Sequence, residues 1–293
     1  MHCTITQASF AELSQRDGAM MQTNHPELWA SALPRPDADS HKHSRGRLGV
    51  VSGPALRTGA ARLAARAGLR IGAGLVKIFC PPDSAPVLAP ALEAVMLDVF
   101  HDADELGRLA APMDAMVIGP AAGLTDATAA NIAALQRNGA ALVIDADGLS
   151  LFEGRAGDLF AGLDRDEVLT PHAGEFERLF PGLLQQHGRE GAARLAAGSA
   201  GAIVILKGAE TVIAAPDGRL CLNKNGSPWL ATAGTGDVLA GMIGGLLAQK
   251  MDSFDAASAA VWMHAEAGRA VGPGLISEDM PDRIGAVLAG LLD

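Results

Sequence analysis

The segment Leu230 to Leu246 reads "LATAGTGDVLAGMIGGL". It opens with small and hydroxylated residues, sets one carboxylate, Asp237, after Gly-Thr-Gly, and runs straight into an apolar pattern. Val238, Leu239, Met242, Ile243, Leu246 and Leu247 recur at helical spacing and fit one helix face. The helix therefore starts near Gly236 or Asp237. The first amides of a helix lack internal partners and carry the positive end of its dipole. Phosphate is their natural ligand. An acid at that place also serves as a plain cap, which is common. A cap does not need Gly-Thr-Gly before it, so the glycine density points to an anion hole built from Gly234, Thr235 and Gly236. Both glycines permit backbone geometries that other residues resist. A carboxylate beside a phosphate site repels its ligand. That cost makes sense if Asp237 takes a proton from a hydroxyl which then attacks the phosphate. A positioned base contributes roughly 10²–10⁴ in rate, and each oriented amide about 10²–10³.

Upstream of this helix, short apolar runs alternate with alanine-rich segments at helical spacing. "RLGVVSG" (47–53), "LVKIFC" (75–80), "AVMLDVF" (94–100), "AMVIGP" (115–120), "ALVIDAD" (141–147), "EVLTPH" (167–172) and "AIVILKG" (202–208) read as strands or strand ends. Helices are predicted over 59–74, 126–138 and 189–197, and over 237–249, 255–271 and 281–291 in the last sixty residues. "TVIAA" and "RLCLN" flank "PDG" and read as a hairpin, because Asp-Gly is a turn dipeptide. Such alternation implies an α/β fold with a mostly parallel sheet and helices on both faces. Ligands then bind beyond the carboxyl ends of the strands. Residues 1–40, ending in "LPRPDADS", read as an arm and linker before a folded domain over 41–293.

Composition narrows the function. The chain has 293 residues, 49% hydrophobic, with 35 glycines and a formal net charge of -10, and no basic block appears. Nucleic acid is therefore not an expected partner. Cys3, Cys80 and Cys221 are far apart and form no CxxC pair, which fits a reducing, cytoplasmic setting. The start lacks the pattern of a secretory signal. The apolar run 238–247 is broken by glycines and falls short of the about 20 residues that span a bilayer.

"NGSPWLATAGTGDVLAGMIGGLLAQ" resembles the signature of the ribokinase-like superfamily, and more closely that of the ADP-dependent NAD(P)H-hydrate dehydratases. "GAARLAARAGLRIGAGLVKI", "VIGPAAG", "VIDADGLSLF", "LTPHAGEFERLF" and "ILKGAETVIA" match in order, so the resemblance covers about Lys42 to Leu292. It implies a three-layer α/β/α sandwich. It also implies removal of water from the hydrated nicotinamide ring of NADH and NADPH, with ADP (or ATP) and Mg2+. By resemblance, Ala60, Gly123, His172 and Asp237 contact the nicotinamide substrate. Lys207, Gly208, Ala209, Glu210 and Thr211, joined by Gly236, hold the nucleotide.

The residues themselves leave plainer readings open. Gly59-Ala60 could serve helix packing, and Thr170-Pro171 could be an N-cap and first helical position. His172 alone is more often structural, Glu175 reads as a first-turn acid, and Lys207 could be a solvated strand end. Asp145 and Asp147 alternate along a strand and so point apart; one of them would orient water around magnesium, whose protein ligands the sequence does not identify. His41 and His43 read as solvated.

The chain departs from the family pattern at Ala121, Ala233 and Ser227. The two alanines cost little where positive φ is not needed. Two other readings stand beside it: a vitamin-precursor or sugar kinase of the superfamily, which uses the same base and anion hole, and a nucleotide-binding regulator that has lost catalysis. The resemblance also implies a homo-oligomer, often a tetramer in related proteins, and the apolar helical C-terminal third reads as a contact surface for it. It implies an epimerase supplied by another protein, because forty residues are too few for that domain.

Overall fold

The structure, a computed structural model, describes residues 21–292. Cys3 and the first half of the expected arm lie outside the described residues. Ten strands form one sheet: β1 (Gln22–Thr23), β2 (Arg47–Val51), β3 (Leu75–Cys80), β4 (Met96–Val99), β5 (Ala115–Ile118), β6 (Ala141–Ile144), β7 (Val168–Leu169), β8 (Ile203–Leu206), β9 (Thr211–Ala214) and β10 (Leu220–Asn223). Their order is β1-β10-β9-β8-β7-β6-β5-β2-β3-β4. Every neighbouring pair is parallel except those made by β9, which runs against β8 and β10. The 211–223 hairpin thus forms as expected. The central strands are apolar along their whole length because helices cover both faces.

The helices among the described residues are α1 (Gly59–Arg70), α2 (Ala85–Leu88), α3 (Ala103–Ala110), α4 (Asp126–Gln136), α5 (Asp147–Ser150), α6 (Ala156–Phe160), α7 (Ala173–Leu179), α8 (Leu183–Ala200), α9 (Thr235–Ala248), α10 (Ser253–Val271) and α11 (Met280–Leu292). One hydrophobic cluster joins α1, α9, α10 and α11 to one face of the sheet, and a second joins α3 to α8 to the other. This is the expected three-layer sandwich.

Helix α9 departs from its one-faced pattern: every residue from Val238 to Ala248 is buried. Its glycines explain how it fits. A Cβ on Gly241 would lie 2.1 Å from the Ala64 carbonyl oxygen of α1, and one on Gly244 would lie 2.7 Å from Val117 of β5. The helix is pressed between α1 and the sheet with no room for side chains on those sides. Its apolar surface is therefore satisfied inside this chain and is not a contact face for another copy.

The arm reading is corrected over residues 21–33. β1 adds a parallel edge strand to β10. Trp29 is wholly buried, its ring 5.8 Å from that of Trp262, and its Nε1 donates to Asn24 Oδ1 at 2.9 Å. Asn24 Nδ2 in turn donates to Asn223 Oδ1 and the Ser258 carbonyl. A polar-looking segment docks because two buried side chains satisfy each other. No helix among the described residues is long and apolar enough to cross a membrane. Cys80 and Cys221 are both free and buried, which pushes their thiols up to about 11 and about 12.

Candidate functional site

The chain enters α9 through Gly234, whose φ of 89° is left-handed, so glycine is the residue that fits. Ser277 Oγ donates to the Ala233 carbonyl and holds this turn from outside. Thr235 Oγ1 points back into the preceding loop, donating to the carbonyls of Leu230 (2.9 Å) and Thr232 (3.1 Å). Its hydroxyl is thus spent on structure, and only its amide remains for a ligand. No side chain caps α9, and the amides of Gly234, Thr235, Gly236 and Asp237 have no partner among the described residues. Gly236 is not left-handed, so its value is room: a Cβ there would lie 3.6 Å from both Asp145 Oδ2 and Lys207 Nζ.

That pair forms the floor. Asp145, at the end of β6, is 2% exposed, and Lys207 Nζ donates to its Oδ1 at 2.7 Å. Lys207 leaves β8, and its Nζ is 4.0 Å from Glu175 Oε2. The buried Glu175 closes a capping box on α7, accepting from the His172 amide at 2.8 Å. His172 is itself the N-cap, where Thr170 and Pro171 were the expected cap and first helical residue. Its Nδ1 accepts from the amides of Gly174 and Glu175. An accepting Nδ1 leaves the proton on Nε2, which lies 3.3 Å from Glu175 Oε1.

Asp237 completes the group. Burial first, and then the Asp145 charge, push its carboxyl up to about 6, while Lys207 pulls the other way. A base that titrates near neutrality is tuned for proton transfer at physiological pH. Asp147 parts from Asp145 because the chain reverses at Ala146, whose φ is 51°. Asp147 Oδ2 accepts from the Gly123 amide at 2.9 Å.

A cavity of about 540 Å³ lies beside the start of α9, between the segment after β8 and α10. Of the residues expected in the site, His172, Lys207, Gly208, Ala209, Thr211, Thr235 and Gly236 line it. Glu210 is on that loop, but its side chain is exposed and it is not part of the lining. Ala60 stands in the first turn of α1, next to Gly59, which lines a separate groove of about 770 Å³. Leu63, in that groove, also abuts Gly234, where an added Cβ would meet it at 2.9 Å. Gly123 lies beyond Ala122, at the edge of a third cleft of about 650 Å³. Neither Ala60 nor Gly123 lines the nucleotide-loop cavity, and the groove beside Ala60 reaches the helix start through Leu63.

Three residues absent from the sequence reading matter here. Arg189 of α8 donates to the carbonyls of Leu206, Lys207 and Glu210 and so shapes the 207–211 loop. Asn223, buried and lining the cavity, ties that wall to Asn24. His264 reaches from α10 to the Thr235 carbonyl at 2.8 Å. None has a local motif; each acts across long sequence separations. Ala121 also differs from expectation: its φ is 55°, so the alanine does sit where positive φ is needed. The turn tolerates it at a cost of about 1 kcal/mol.

The residues fit a magnesium ion carried by a nucleotide. No group of three or more His, Cys, Asp or Glu side chains forms a metal cage among the described residues. Mg2+ in phosphate sites needs only one or two carboxylates beside the phosphate oxygens. Asp145 Oδ2, which has no partner among the described residues, is the carboxylate oxygen that would serve such an ion.

Residues 48–283 match the family model described as NAD(P)H-hydrate dehydratase. The chain is 35% identical to the ADP-dependent (S)-NAD(P)H-hydrate dehydratase of Xanthomonas campestris, over 89% of this chain and 93% of that protein. It spans about half the length of the bifunctional NAD(P)H-hydrate repair enzymes it matches, 49% for that of Gloeobacter violaceus at 42% identity. The structure superposes on the ADP/ATP-dependent NAD(P)H-hydrate dehydratase of Bacillus subtilis, co-crystallised with ATP and Mg2+, with a TM-score of 0.80. Identity there is 27%, covering 94% of this chain and 100% of that one. A ribokinase-like superfamily protein of Enterococcus faecalis gives a TM-score of 0.82 at 23% identity, covering 92% and 96%, which speaks for the fold alone. With a family model over most of its length and a full-length relative of the same kind, this chain belongs to the NAD(P)H-hydrate dehydratase family, a family of hydro-lyases on a ribokinase-like fold.

Proposed function

We propose that this chain dehydrates hydrated NADH and NADPH at the expense of ADP. One observation carries the reading: a carboxyl pushed up to about 6 stands in the first turn of an uncapped, glycine-opened helix. Asp237 takes the proton of the ring hydroxyl. That oxygen attacks the terminal phosphorus of ADP, forming a C–O–P link as the bond to AMP breaks. The amides of Gly234, Thr235 and Gly236, with that of Asp237 beside them, bear the charge that grows on the phosphoryl oxygens. Lys207, held by Asp145, faces the same space and offsets the same charge. The ring nitrogen's lone pair then expels phosphate. Loss of a proton from the neighbouring ring carbon restores the dihydronicotinamide, with AMP and phosphate as the other products.

Magnesium, when bound with the nucleotide, supplies further positive charge against the phosphates. Lys207, Gly208, Ala209, Glu210, Thr211 and Gly236 form the nucleotide side of the site. Ala60 and Gly123, through their backbone, form the substrate side together with Asp237, and His172, which lines the nucleotide-loop cavity, reaches the substrate from across the helix start. An epimerase acting on the same substrate is the natural companion activity, because half of each bifunctional relative lies outside the matched region.

The test is incubation of the full chain with hydrated NADH and either ADP or ATP, following the return of the dihydronicotinamide absorbance. Recovery of that band with release of phosphate supports the reading. A stable phosphorylated product without recovery indicates a kinase. Nucleotide binding without turnover of any kind indicates a regulator.

A further inference from the structure

His264 is only 8% exposed and lines the cavity beside α9. Its Nε2 is 2.8 Å from the Thr235 carbonyl oxygen. A carbonyl only accepts, so Nε2 carries the proton. Burial, helped by the Lys207 charge and opposed by the Thr235 carbonyl, brings the ring's pKa down to about 4. The ring is therefore neutral near physiological pH, and Nδ1 is a bare acceptor.

Nδ1 has no hydrogen-bond partner among the described residues. Nor is it sealed in: Ser258 Oγ is the single buried side-chain polar atom left without a partner among the described residues. An unpartnered Nδ1 on a buried ring that lines the cavity must therefore open into it. Its polar neighbours there are already engaged. Lys207 is held by Asp145, Asn223 bridges Asn24 and Asn225, and Thr211 bonds back to Gly208. Leu230, Leu239, Val261 and Ala265 supply apolar wall around the ring. A buried acceptor aimed into an apolar-walled cavity costs free energy until a donor meets it.

We propose that His264 recognises the nucleoside part of the bound nucleotide, its Nδ1 accepting a hydrogen bond from a nucleoside N–H or O–H. The inference rests on the nucleotide reading above and deepens it. Phosphates at the helix start offer no donor at neutral pH, so the partner is the exocyclic amine of the base or a ribose hydroxyl. A 6-oxo purine would set an acceptor against an acceptor. The same ring, through Nε2, fixes the carbonyl of the first residue of α9. His264 is thus a binding residue on one edge and, through Thr235, a positioning residue for the anion hole on the other.

The test is calorimetric binding of ADP, IDP, 2′-deoxy-ADP and 3′-deoxy-ADP to the full chain and to His264→Gln and His264→Asn. Glutamine places an amide nitrogen where Nε2 was and keeps the Thr235 contact but leaves Nδ1 unreplaced. Asparagine replaces Nδ1 and loses Thr235. The expected result is that the wild type binds ADP about tenfold more tightly than one analogue, in line with one hydrogen bond. Discrimination against IDP assigns the donor to the base, and against a deoxy analogue to the ribose. His264→Gln should bind ADP about tenfold more weakly and lose that preference, whereas His264→Asn should keep it.

Wild-type protein that binds all four nucleotides equally overturns the proposal, and so does a His264→Gln protein with the wild-type preference. The wild-type series needs no variant to fold. Tight, selective ADP binding without turnover of hydrated NADH would sink the dehydratase reading and leave this one standing. A wild type that binds no nucleotide would sink both.

Discussion

Lys207 Nζ donates to Asp145 Oδ1 at 2.7 Å, and both groups lie 3.6 Å from where a Cβ on Gly236 would stand. A buried ion pair is thus aimed at the first turn of α9 with only a glycine between. The pair also sets the charge felt by Asp237, since Asp145 pushes its carboxyl up and Lys207 pulls it down.

Asp237→Asn should leave nucleotide binding intact and lower kcat by about 10²–10⁴, the usual worth of a positioned base. Single-turnover assays with titrated ADP separate the two effects. The wild-type rate should rise with pH through about 6, because only the ionised carboxylate accepts the proton.

The flanking pair should move that midpoint in opposite directions. Asp145→Asn removes a repelling charge, so the midpoint should fall. Lys207→Met removes an attracting one, so it should rise. Lys207→Met also strands the buried Asp145, which costs about 3–5 kcal/mol when one partner of a buried pair is deleted. pH–rate profiles and denaturant melts read the two outcomes separately. Unmoved midpoints in both variants would show that the pair does not tune Asp237.

Glu167 gives a pH effect on stability. It is buried at the amino-terminal end of the sheet, its Oε2 accepts from the Asp164 amide, and burial raises its carboxyl to about 8. A raised acid favours folding while protonated, so its contribution is fully present below the ordinary carboxylate range and is lost as pH rises through about 8. Glu167→Gln should match the wild type at pH 5 and be the more stable protein at pH 9, as read by thermal melts.

Two loops interlock beside the site, and their residues should respond oppositely. Ala121→Gly relieves a φ of 55° and should stabilise by about 0.5 kcal/mol after the entropy cost of glycine. Gly53→Ala places a Cβ 2.0 Å from the Ala121 carbonyl oxygen and should destabilise by about 2 kcal/mol. Urea titrations of both variants test the signs.

Trp29→Ala should cost about 3–5 kcal/mol, the range for deleting a fully buried aromatic. A change below about 0.5 kcal/mol, the range of ordinary surface substitutions, would return residues 21–33 to the status of an arm.

The alternation of strands and helices, the hairpin at 211–223 and the helix start that carries Asp237 are legible in the amino-acid order. These are local features: periodicity, turn dipeptides and glycine placement act over a few residues. The rest depends on contacts between distant segments. Trp29 and Asn24 read as part of a polar arm because their partners, Trp262, Asn223 and Ser258, are about two hundred residues away. His172 took the capping place expected of Thr170, because the bridge between His172 and Lys207 keeps the chain extended past Pro171. His264 and Arg189 carry no motif, and they matter only because α10 and α8 pack their rings and guanidinium against backbone carbonyls of the site. Periodicity tells which face of an element is buried; what that face will meet is settled only when distant segments compete for the same space.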